Sequence, residues 1–125
     1  MADRNFLQIT PFMHVQDIES ALRFFTNILG FTIPYTDGAS YAYVEREGCA
    51  FRILQSTEAK YGEREFAYYI DVRNVDALHA ELKPKLDALP KDDVVGPINQ
   101  GYGQPELLIR MPDGNVLAFG QAIKR

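Results

Sequence analysis

Apolar and polar residues alternate along several short stretches of the chain, and a period of two residues indicates β-strands. The predicted strands cover residues 7–15, 31–36, 40–46, 49–55, 66–72, 94–98, 105–111 and 115–121. Two other stretches have apolar residues at helical spacing. The first predicts a helix from Ile18 to Leu29 that ends at Gly30. The second predicts a helix from Val75 to Leu89 that is kinked or broken near Pro84, because proline cannot donate to the helical ladder.

The order of these elements repeats along the chain. "VQDI" at 15–18 aligns with "VRNV" at 72–75 at an offset of 57 residues, and each copy joins a strand end to a helix N-cap and a first helical turn. "EGCAFRI" at 47–53 aligns with "DGNVLAF" at 113–119 at an offset of 66, and each copy is an acid-Gly turn followed by a strand. Two matches in the same order predict a βαβββ unit that occurs twice.

We therefore expect a single α+β domain over residues 1–125, with module one at about 5–57 and module two at about 65–123. The polar stretch "STEAKYGERE" at 56–65 is the predicted hinge between the modules. A chain of 125 residues with 46% hydrophobic residues is the size of one domain and can bury a core.

The charge and the residue types exclude several classes of function. The formal charge of -4 and the pI of about 5.1 provide no basic surface for nucleic acid or a membrane, and favour a cationic or neutral small ligand. No apolar run reaches the roughly 20 residues of a membrane span and the N-terminus does not resemble a signal peptide, so we expect a cytoplasmic protein. Cys49 is the only cysteine, which excludes an internal disulfide. No nucleophile triad, phosphate loop or dinucleotide motif is present, so no catalytic residue or cofactor is predicted.

Side chains point alternately to the two faces of a strand, which sorts the strand residues into two sets. The almost wholly apolar set is the predicted core: Pro11, Met13, Val15, Phe51, Ile53, Tyr68, Ile70, Val72, Leu117 and Phe119. The other set mixes aromatic, small and charged residues: Thr10, Phe12, His14, Ala50, Arg52, Leu54, Ala67, Tyr69, Asp71, Val116, Ala118 and Gly120. A mixed face suits the wall of a ligand cavity, and it equally suits the half-solvated face of an antiparallel sheet.

The candidate ligand-binding residues come from this mixed face and its neighbours. They are Phe12, His14, Arg52, Leu54, Tyr69, Tyr102 and Glu106. Phe12, Tyr69 and Tyr102 offer ring faces to a planar or cationic ligand, unless they are ordinary packing aromatics. The charge of Arg52 has to be paired, either with a carboxylate such as Asp71 or Glu106 or with an anionic group of the ligand.

Three segments carry a resemblance to a known family: "HVQDIESALRFFTNILGF" (14–31), "YYIDVRNV" (68–75) and "GYGQPELLIRMPDGNVLAFG" (101–120). Together they resemble the vicinal oxygen chelate superfamily, which contains glyoxalase I, extradiol dioxygenases and bleomycin resistance proteins. The resemblance covers nearly the whole chain. It implies two βαβββ modules that form a curved, cup-shaped mixed sheet.

The resemblance also assigns four metal-ligand positions, which hold His, Gln or Glu in the metal-dependent members. The matching residues here are Thr10, Arg52, Ala67 and Ala118. Alanine offers no donor and a guanidinium repels a cation, so no metal site is predicted. His14 and Asp71 each lie four residues from these positions, about 13 Å along a strand, and do not rebuild the site.

The stretch "GPINQGYGQPELLIRMPDGNVLAFGQ" (96–121) is most similar to the bleomycin resistance type. That similarity implies a metal-free homodimer that gives antibiotic resistance by sequestering an aromatic or cationic compound in a cup or dimer cleft. Tyr102 stands where that subgroup commonly has Trp, so the similarity does not single out bleomycin. Two alternatives remain open: a metal-dependent lyase, isomerase or dioxygenase of the same superfamily with relocated ligands, and an interaction module with a filled cup.

Overall fold

The chain folds into two modules with the same order of strands and helices, as seen in a computed structural model that describes residues 4–56, 66–99 and 105–121. The elements are β1 (Phe12–Val15), α1 (Ile18–Arg23), β2 (Thr32–Thr36), β3 (Tyr41–Arg46), β4 (Cys49–Gln55), β5 (Ala67–Val72), α2 (Val75–Leu86), β6 (Val94–Asn99), β7 (Pro105–Arg110) and β8 (Val116–Gln121). A π-helical turn (Phe24–Ile28) follows α1, and a 3₁₀ turn (Lys91–Asp93) precedes β6. The predicted α+β fold of two βαβββ modules is confirmed.

Each module forms its own four-stranded mixed sheet. The strand order is β1-β4-β3-β2 in the first sheet and β5-β8-β7-β6 in the second. The opening strand runs parallel to the closing strand in both modules, with Phe12 opposite Arg52 and Tyr69 opposite Ala118, and the other pairs are antiparallel. The repeat in the sequence is therefore a repeat in the topology.

Both helices start in the same way, as the matched cap signals predict. Asp17 accepts hydrogen bonds from the backbone N–H groups of Glu19 and Ser20, and Asn74 accepts one from Ala77. A second contact is also duplicated: Gln55 Oε1 accepts from the backbone N–H of Ile18 at 2.9 Å, and Gln121 Oε1 accepts from that of Val75 at 3.1 Å. The last residue of each closing strand thus ties its sheet to the start of its helix.

The first predicted strand and the first predicted helix differ in detail from the structure. Residues 7–11 belong to no strand, and β1 begins at Phe12. The predicted helix from Ile18 to Leu29 is α-helical only to Arg23 and then widens into the π-helical turn. The N–H of Leu29 bonds to the carbonyl of Phe24 at 3.2 Å, five residues back, and the wider turn buries both Phe24 and Phe25.

The second helix is continuous through Pro84 and ends at Leu86, so the prediction that it reaches Leu89 was wrong. Pro84 lies in the last turn, where its missing N–H costs one helical hydrogen bond shortly before the helix ends. The predicted hinge at 56–65 lies outside the described residues except for Ser56.

A single hydrophobic core joins the two modules. Met13, Val15, Phe51 and Ile53 of the first module are buried in one cluster with residues of the second, among them Leu107, Ile109, Leu117 and Phe119. The rings of Phe51 and Tyr68 meet edge to face across the junction, with centroids 5.4 Å apart. Burial of each large apolar side chain stabilises the fold by roughly 1.5–3 kcal/mol.

Polar contacts also join the modules. Tyr68 donates its hydroxyl proton to the carbonyl of Phe12 at 3.0 Å, and burial raises the pKa of this phenol. Asn115 is fully buried; its amide donates to the carbonyl of His14 at 2.9 Å and accepts from the N–H of Phe66 at 3.3 Å.

Within the described ranges, neither helix is long and apolar enough to cross a membrane.

Candidate functional site

Each sheet has one face turned away from the shared core, and these faces hold most of the predicted site residues. We define the first open face as Thr10, Phe12, Tyr41, Tyr43, Arg52 and Leu54, and the second open face as Tyr69, Asp71, Glu106, Leu108, Ala118 and Gly120. The strand registers fix the members that lie on strands, because residues directly opposite each other on paired strands share a face. Thr10 precedes β1 and joins this face through Gln8, which bonds to both Thr10 and Tyr43. Tyr43 lies opposite Arg52, and Glu106 lies opposite Gly120.

Arg52 occupies the middle of the first open face among tyrosines. Its Nη1 donates to the hydroxyl of Tyr41 at 2.6 Å, and its guanidinium carbon lies 5.3 Å from the ring centroid of Tyr43. The sequence leaves two partners open, a carboxylate such as Asp71 or Glu106 and an anionic group of the ligand. Among the described residues, no ion pair forms between Arg52 and a carboxylate. The guanidinium is instead held by a phenol oxygen and a ring face, and neither contact brings a full negative charge to it.

Gln8 extends this arrangement from the segment before β1. Its side-chain amide donates to the hydroxyl of Tyr43 at 3.0 Å and to the hydroxyl of Thr10 at 2.9 Å. The hydroxyls of Tyr41, Tyr43 and Thr10 each accept a hydrogen bond from the protein and keep their own proton to donate. The first open face is therefore rich in hydrogen-bond donors.

The second open face is acidic. Tyr69 donates its hydroxyl proton to Glu106 at 2.8 Å, and Glu106 is only 6% exposed while the Tyr69 ring is 47% exposed. Gly120 makes this contact possible, because a Cβ atom at this position would overlap the hydroxyl and the ring of Tyr69. The ring thus lies over a position without a side chain and brings its hydroxyl to a buried carboxylate.

The structure divides the predicted ligand-binding residues between the two sheets. Phe12, His14, Arg52 and Leu54 lie on β1 and β4, and the ring of Phe12 is 53% exposed. His14 lies opposite Leu54, and its backbone carbonyl accepts the bond from Asn115. Tyr69 and Glu106 lie together on the second open face. Tyr102 lies outside the described residues, and the ligand-binding role of the whole set stays a prediction.

A groove of about 510 Å³ lies between the modules at one end of β5. Its walls are Ala67–Asp71 of β5, Cys49–Phe51 of β4, and Gln8, Ile9 and Pro11 of the segment before β1. We call it the junction groove. Tyr69 of the predicted set lines it, so the second open face continues into the groove. The volume falls within the range of small-molecule sites.

The residues at the family's metal-ligand positions do not fit a metal ion. Thr10 and Arg52 lie on the first module, and Ala67 and Ala118 on β5 and β8 of the second. Two methyl groups, one hydroxyl and one guanidinium cannot supply the three donors that a catalytic site needs. In the part of the chain that the structure describes, no group of three or more His, Cys, Asp or Glu side chains could hold a metal ion.

Reasoning from sequence missed three residues that shape the first open face. Tyr41 and Tyr43 contact Arg52, and Gln8 bonds to Tyr43. The alternation in "YAYVER" could have identified the tyrosines, because Ala42 and Val44 are the apolar members and are fully buried. The role of Gly120 as the space under Tyr69 could not have been found this way, because it depends on a rotamer.

Comparison with protein families gives one match. The model of the Glyoxalase/Bleomycin resistance protein/Dioxygenase superfamily matches residues 7–119. A comparison with curated protein sequences found no significant match.

Several solved structures share the fold. The bleomycin-binding protein from Streptomyces verticillus complexed with copper(II)-bleomycin is 24% identical, with a TM-score of 0.74 over 97% of this chain and 100% of that chain. The bleomycin resistance determinant encoded on the transposon Tn5 is 20% identical, with a TM-score of 0.80 over 95% and 100%. TnmS3, an antibiotic binding protein from Streptomyces sp. CB03234, is 20% identical, with a TM-score of 0.72 over 97% and 100%.

Proposed function

Because the chain belongs to the glyoxalase/bleomycin resistance protein/dioxygenase superfamily, we propose that it is a cytoplasmic, metal-free binding protein that sequesters an aromatic or cationic small molecule. It holds the compound without transforming it, and such sequestration would protect a cell from an antibiotic. The observation that carries this proposal is the exposed ring of Tyr69 above the buried carboxylate of Glu106.

The Tyr69–Glu106 pair suits a planar cation. A half-exposed ring offers apolar surface and a negative π face, which attracts a cation by about 0.5–2 kcal/mol. The Glu106 carboxylate behind the ring adds negative potential, and the formal charge of -4 adds long-range attraction. A planar cation that stacks on Tyr69 would enter the junction groove, where Ala67 and Ile70 provide apolar contacts.

The structural comparisons support this choice within the superfamily. Two proteins of the same fold are known in complex with bleomycin or its copper complex, and TnmS3 is described as an antibiotic binding protein. Their identities of 18–24% to this chain relate the folds and leave the ligand open. The four residues at the family's metal-ligand positions offer few atoms that could coordinate a metal ion, which favours binding over metal-dependent chemistry. They are Thr10, Arg52, Ala67 and Ala118.

We further propose that the protein acts as a homodimer. Phe6 and Ile9, in the segment before β1, are 88% and 94% exposed, and Leu7 between them is also exposed. Phe12 and Tyr69 add exposed rings on the open faces. Apolar side chains clustered on a surface mark interaction sites, and a second copy that covers them would also enclose the open faces.

Isothermal titration calorimetry with two matched dyes tests the binding proposal. Proflavine is a planar cation at pH 7.5, and acridine is its neutral relative. We expect proflavine to bind several-fold more tightly than acridine, and Tyr69→Ala to weaken proflavine about tenfold because it removes the ring. Tyr35→Ala, which removes another exposed tyrosine outside the second open face, is the matched control. No binding of either dye, or equal effects of the two substitutions, would contradict the proposal.

Elemental analysis of the purified protein separates this proposal from the enzymatic alternative. A sequestering protein without a metal site carries no stoichiometric ion through purification. One tightly held equivalent of nickel, zinc, iron or manganese would favour a lyase, isomerase or dioxygenase with relocated ligands.

Light scattering coupled to size exclusion tests the dimer. We expect twice the mass of 14.2 kDa for the natural chain and a shift toward the monomer for the double variant Phe6→Ser and Ile9→Ser. Tyr35→Ser serves as a control for loss of an exposed aromatic residue. A monomer at high concentration in the unsubstituted protein would refute the dimer.

A further inference from the structure

Within the described part of the chain Arg52 has no carboxylate partner, and this leads to a second inference about the ligand. We propose that Arg52, with the hydroxyls of Tyr41 and Tyr43, binds an oxyanion such as a carboxylate on an aromatic ligand. This inference rests on the proposed binding function and names the chemical group that the first module takes. The ligand would then be amphoteric, with its anionic group on the first open face and its cationic or aromatic part on the second.

The hydrogen-bonding capacity of Arg52 supports this assignment. A guanidinium has five N–H donors, and the only hydrogen bond it makes within the described ranges is the one from Nη1 to Tyr41. The side chain is partly buried, so its charge is partly removed from water without a carboxylate in return. A planar guanidinium with open donors matches an oxyanion in two-pronged geometry.

The hydroxyls around Arg52 point to the same chemistry. The Tyr41 oxygen accepts from Arg52 and the Tyr43 oxygen accepts from Gln8, so each phenol proton is left to donate. A phenol that accepts a hydrogen bond from a cation becomes a better donor. The guanidinium and the two phenols therefore all present hydrogen-bond donors. An anion can accept these hydrogen bonds, whereas a cation cannot.

The nearest acidic residue by register does not satisfy Arg52. Glu45 follows Tyr43 on β3 at the next position of the same face, and its Oε2 accepts from the backbone N–H of Gly48 at 2.6 Å. The carboxylate thus closes the β3–β4 turn at the end of the hairpin.

Three naphthalene probes that differ only in one group test the assignment: 1-naphthoate, 1-naphthamide and 1-naphthylmethylammonium, measured by calorimetry at pH 7.5. We expect 1-naphthoate to bind most tightly to the first face, and Arg52→Met to weaken it by about tenfold or more while changing 1-naphthamide little. Tyr41→Phe should weaken 1-naphthoate by a few-fold, because it removes one O–H donor. Arg23→Met, at an exposed arginine of α1, is the control for loss of a positive charge.

Failure of this inference and failure of the proposed function give different results. Equal or tighter binding of the amide probe, or an unchanged 1-naphthoate affinity in Arg52→Met, overturns the oxyanion site and leaves the proflavine result standing. Binding of the ammonium probe belongs to the second open face if Tyr69→Ala weakens it and Arg52→Met does not. Binding of 1-naphthoate through Arg52 without any binding of proflavine supports the oxyanion site and overturns the cation-binding proposal.

A second measurement decides the inference even if no naphthalene binds. Titration with inorganic phosphate should shift the Arg52 Nε–H signal and the Tyr41 ring signals in NMR spectra, and the Tyr41 shift should be absent in Arg52→Met. The absence of any shift of Arg52 in the natural protein overturns the oxyanion site. A loss of stability in Arg52→Met without these ligand effects would assign Arg52 a purely structural role.

Discussion

The two modules share one backbone plan and carry different chemistry on their open faces. Residues at the same place in the two strand registers are equivalent between the modules. The equivalent residues are Phe12 and Tyr69, Tyr41 and Glu106, Arg52 and Ala118, and Leu54 and Gly120. Module one thus places a cation, a phenol and a leucine where module two places a methyl group, a carboxylate and a glycine. The contacts that build the module are kept, since Gln55 and Gln121 bond to their helices in the same way.

This difference separates the residues that the fold of both modules needs from the residues that vary between them. The helix caps and the strand-end glutamines serve the backbone, and they are the same kind of residue in both copies. The open-face residues differ at every equivalent position described here. The two modules therefore differ most on their open faces, and substitutions at equivalent positions are the sharpest way to test what that difference does.

The largest expected effect comes from Asn115, whose equivalent in module one is Cys49 at the offset of 66 residues. Asn115 is fully buried and bridges the His14 carbonyl and the Phe66 N–H, whereas Cys49 is exposed. We expect Asn115→Ala to lower the free energy of unfolding by about 2–4 kcal/mol, because it removes a fully buried amide and the partners of two part-buried backbone groups.

Cys49→Ala is the matched control for this prediction. It should change the free energy of unfolding by less than about 0.5 kcal/mol, because an exposed thiol makes few contacts. Urea denaturation followed by circular dichroism measures both variants. Equal costs would show that Asn115 does not hold the modules together.

A medium effect is expected at Gly120, where module one has Leu54. Gly120→Ala forces the Tyr69 ring away from the sheet and breaks its hydrogen bond to Glu106, at a cost of roughly 1–3 kcal/mol. In a Tyr69→Ala background the three nearest contacts of the added methyl group are absent, so the same substitution should cost much less. Denaturation of the four proteins in this cycle gives the coupling, and a cost that is unchanged in the Tyr69→Ala background would contradict the proposed overlap.

The smallest expected effect concerns Asp37 in the β2–β3 turn of module one. Its carboxylate accepts hydrogen bonds from the backbone N–H groups of Ala39, Tyr41 and Ser40, which lower its pKa from 3.8 to about 2. A depressed pKa stabilises the fold above the unfolded value of 3.8, and this stabilisation is lost as the pH falls through about 2.

The difference in melting temperature between the natural protein and Asp37→Asn should therefore be constant from pH 7 to about 5 and shrink toward pH 2. An NMR titration of the Asp37 side chain should return a pKa well below that of an ordinary aspartate. A pH-independent difference between the two proteins would show that the turn does not depend on this charge.

The fold was largely predictable from sequence, because it depends on local signals. Alternation placed Met13, Val15, Phe51 and Ile53 in the core, and the Asp17 and Asn74 caps fixed the starts of the helices. The early end of the second helix and the π-helical turn were not predictable from periodicity. A π-helical turn has hydrogen bonds to the residue five positions back, and an α-helix has them to the residue four positions back. The choice between the two depends on how Phe24 and Phe25 pack in the core.

The candidate site was predictable only in part. The alternation of side chains along each strand identified Phe12, Arg52 and Tyr69 as open-face residues, because neighbouring residues of a strand point to opposite faces. The partners of these residues could not be derived, since they depend on neighbouring strands and rotamers. Arg52 contacts tyrosines of β3, and Glu106 contacts Tyr69 across the unoccupied space at Gly120.

The π-helical turn between α1 and β2 has a consequence for chain length among relatives. A turn of this kind holds one residue more than an α-helical turn over nearly the same rise. A chain that lacks one residue between Phe24 and Ile28 would wind there as an ordinary helix, with Ile18 before it and Phe31 after it in unchanged positions. Single-residue deletions at this point should therefore be tolerated more readily than anywhere else in the first helix.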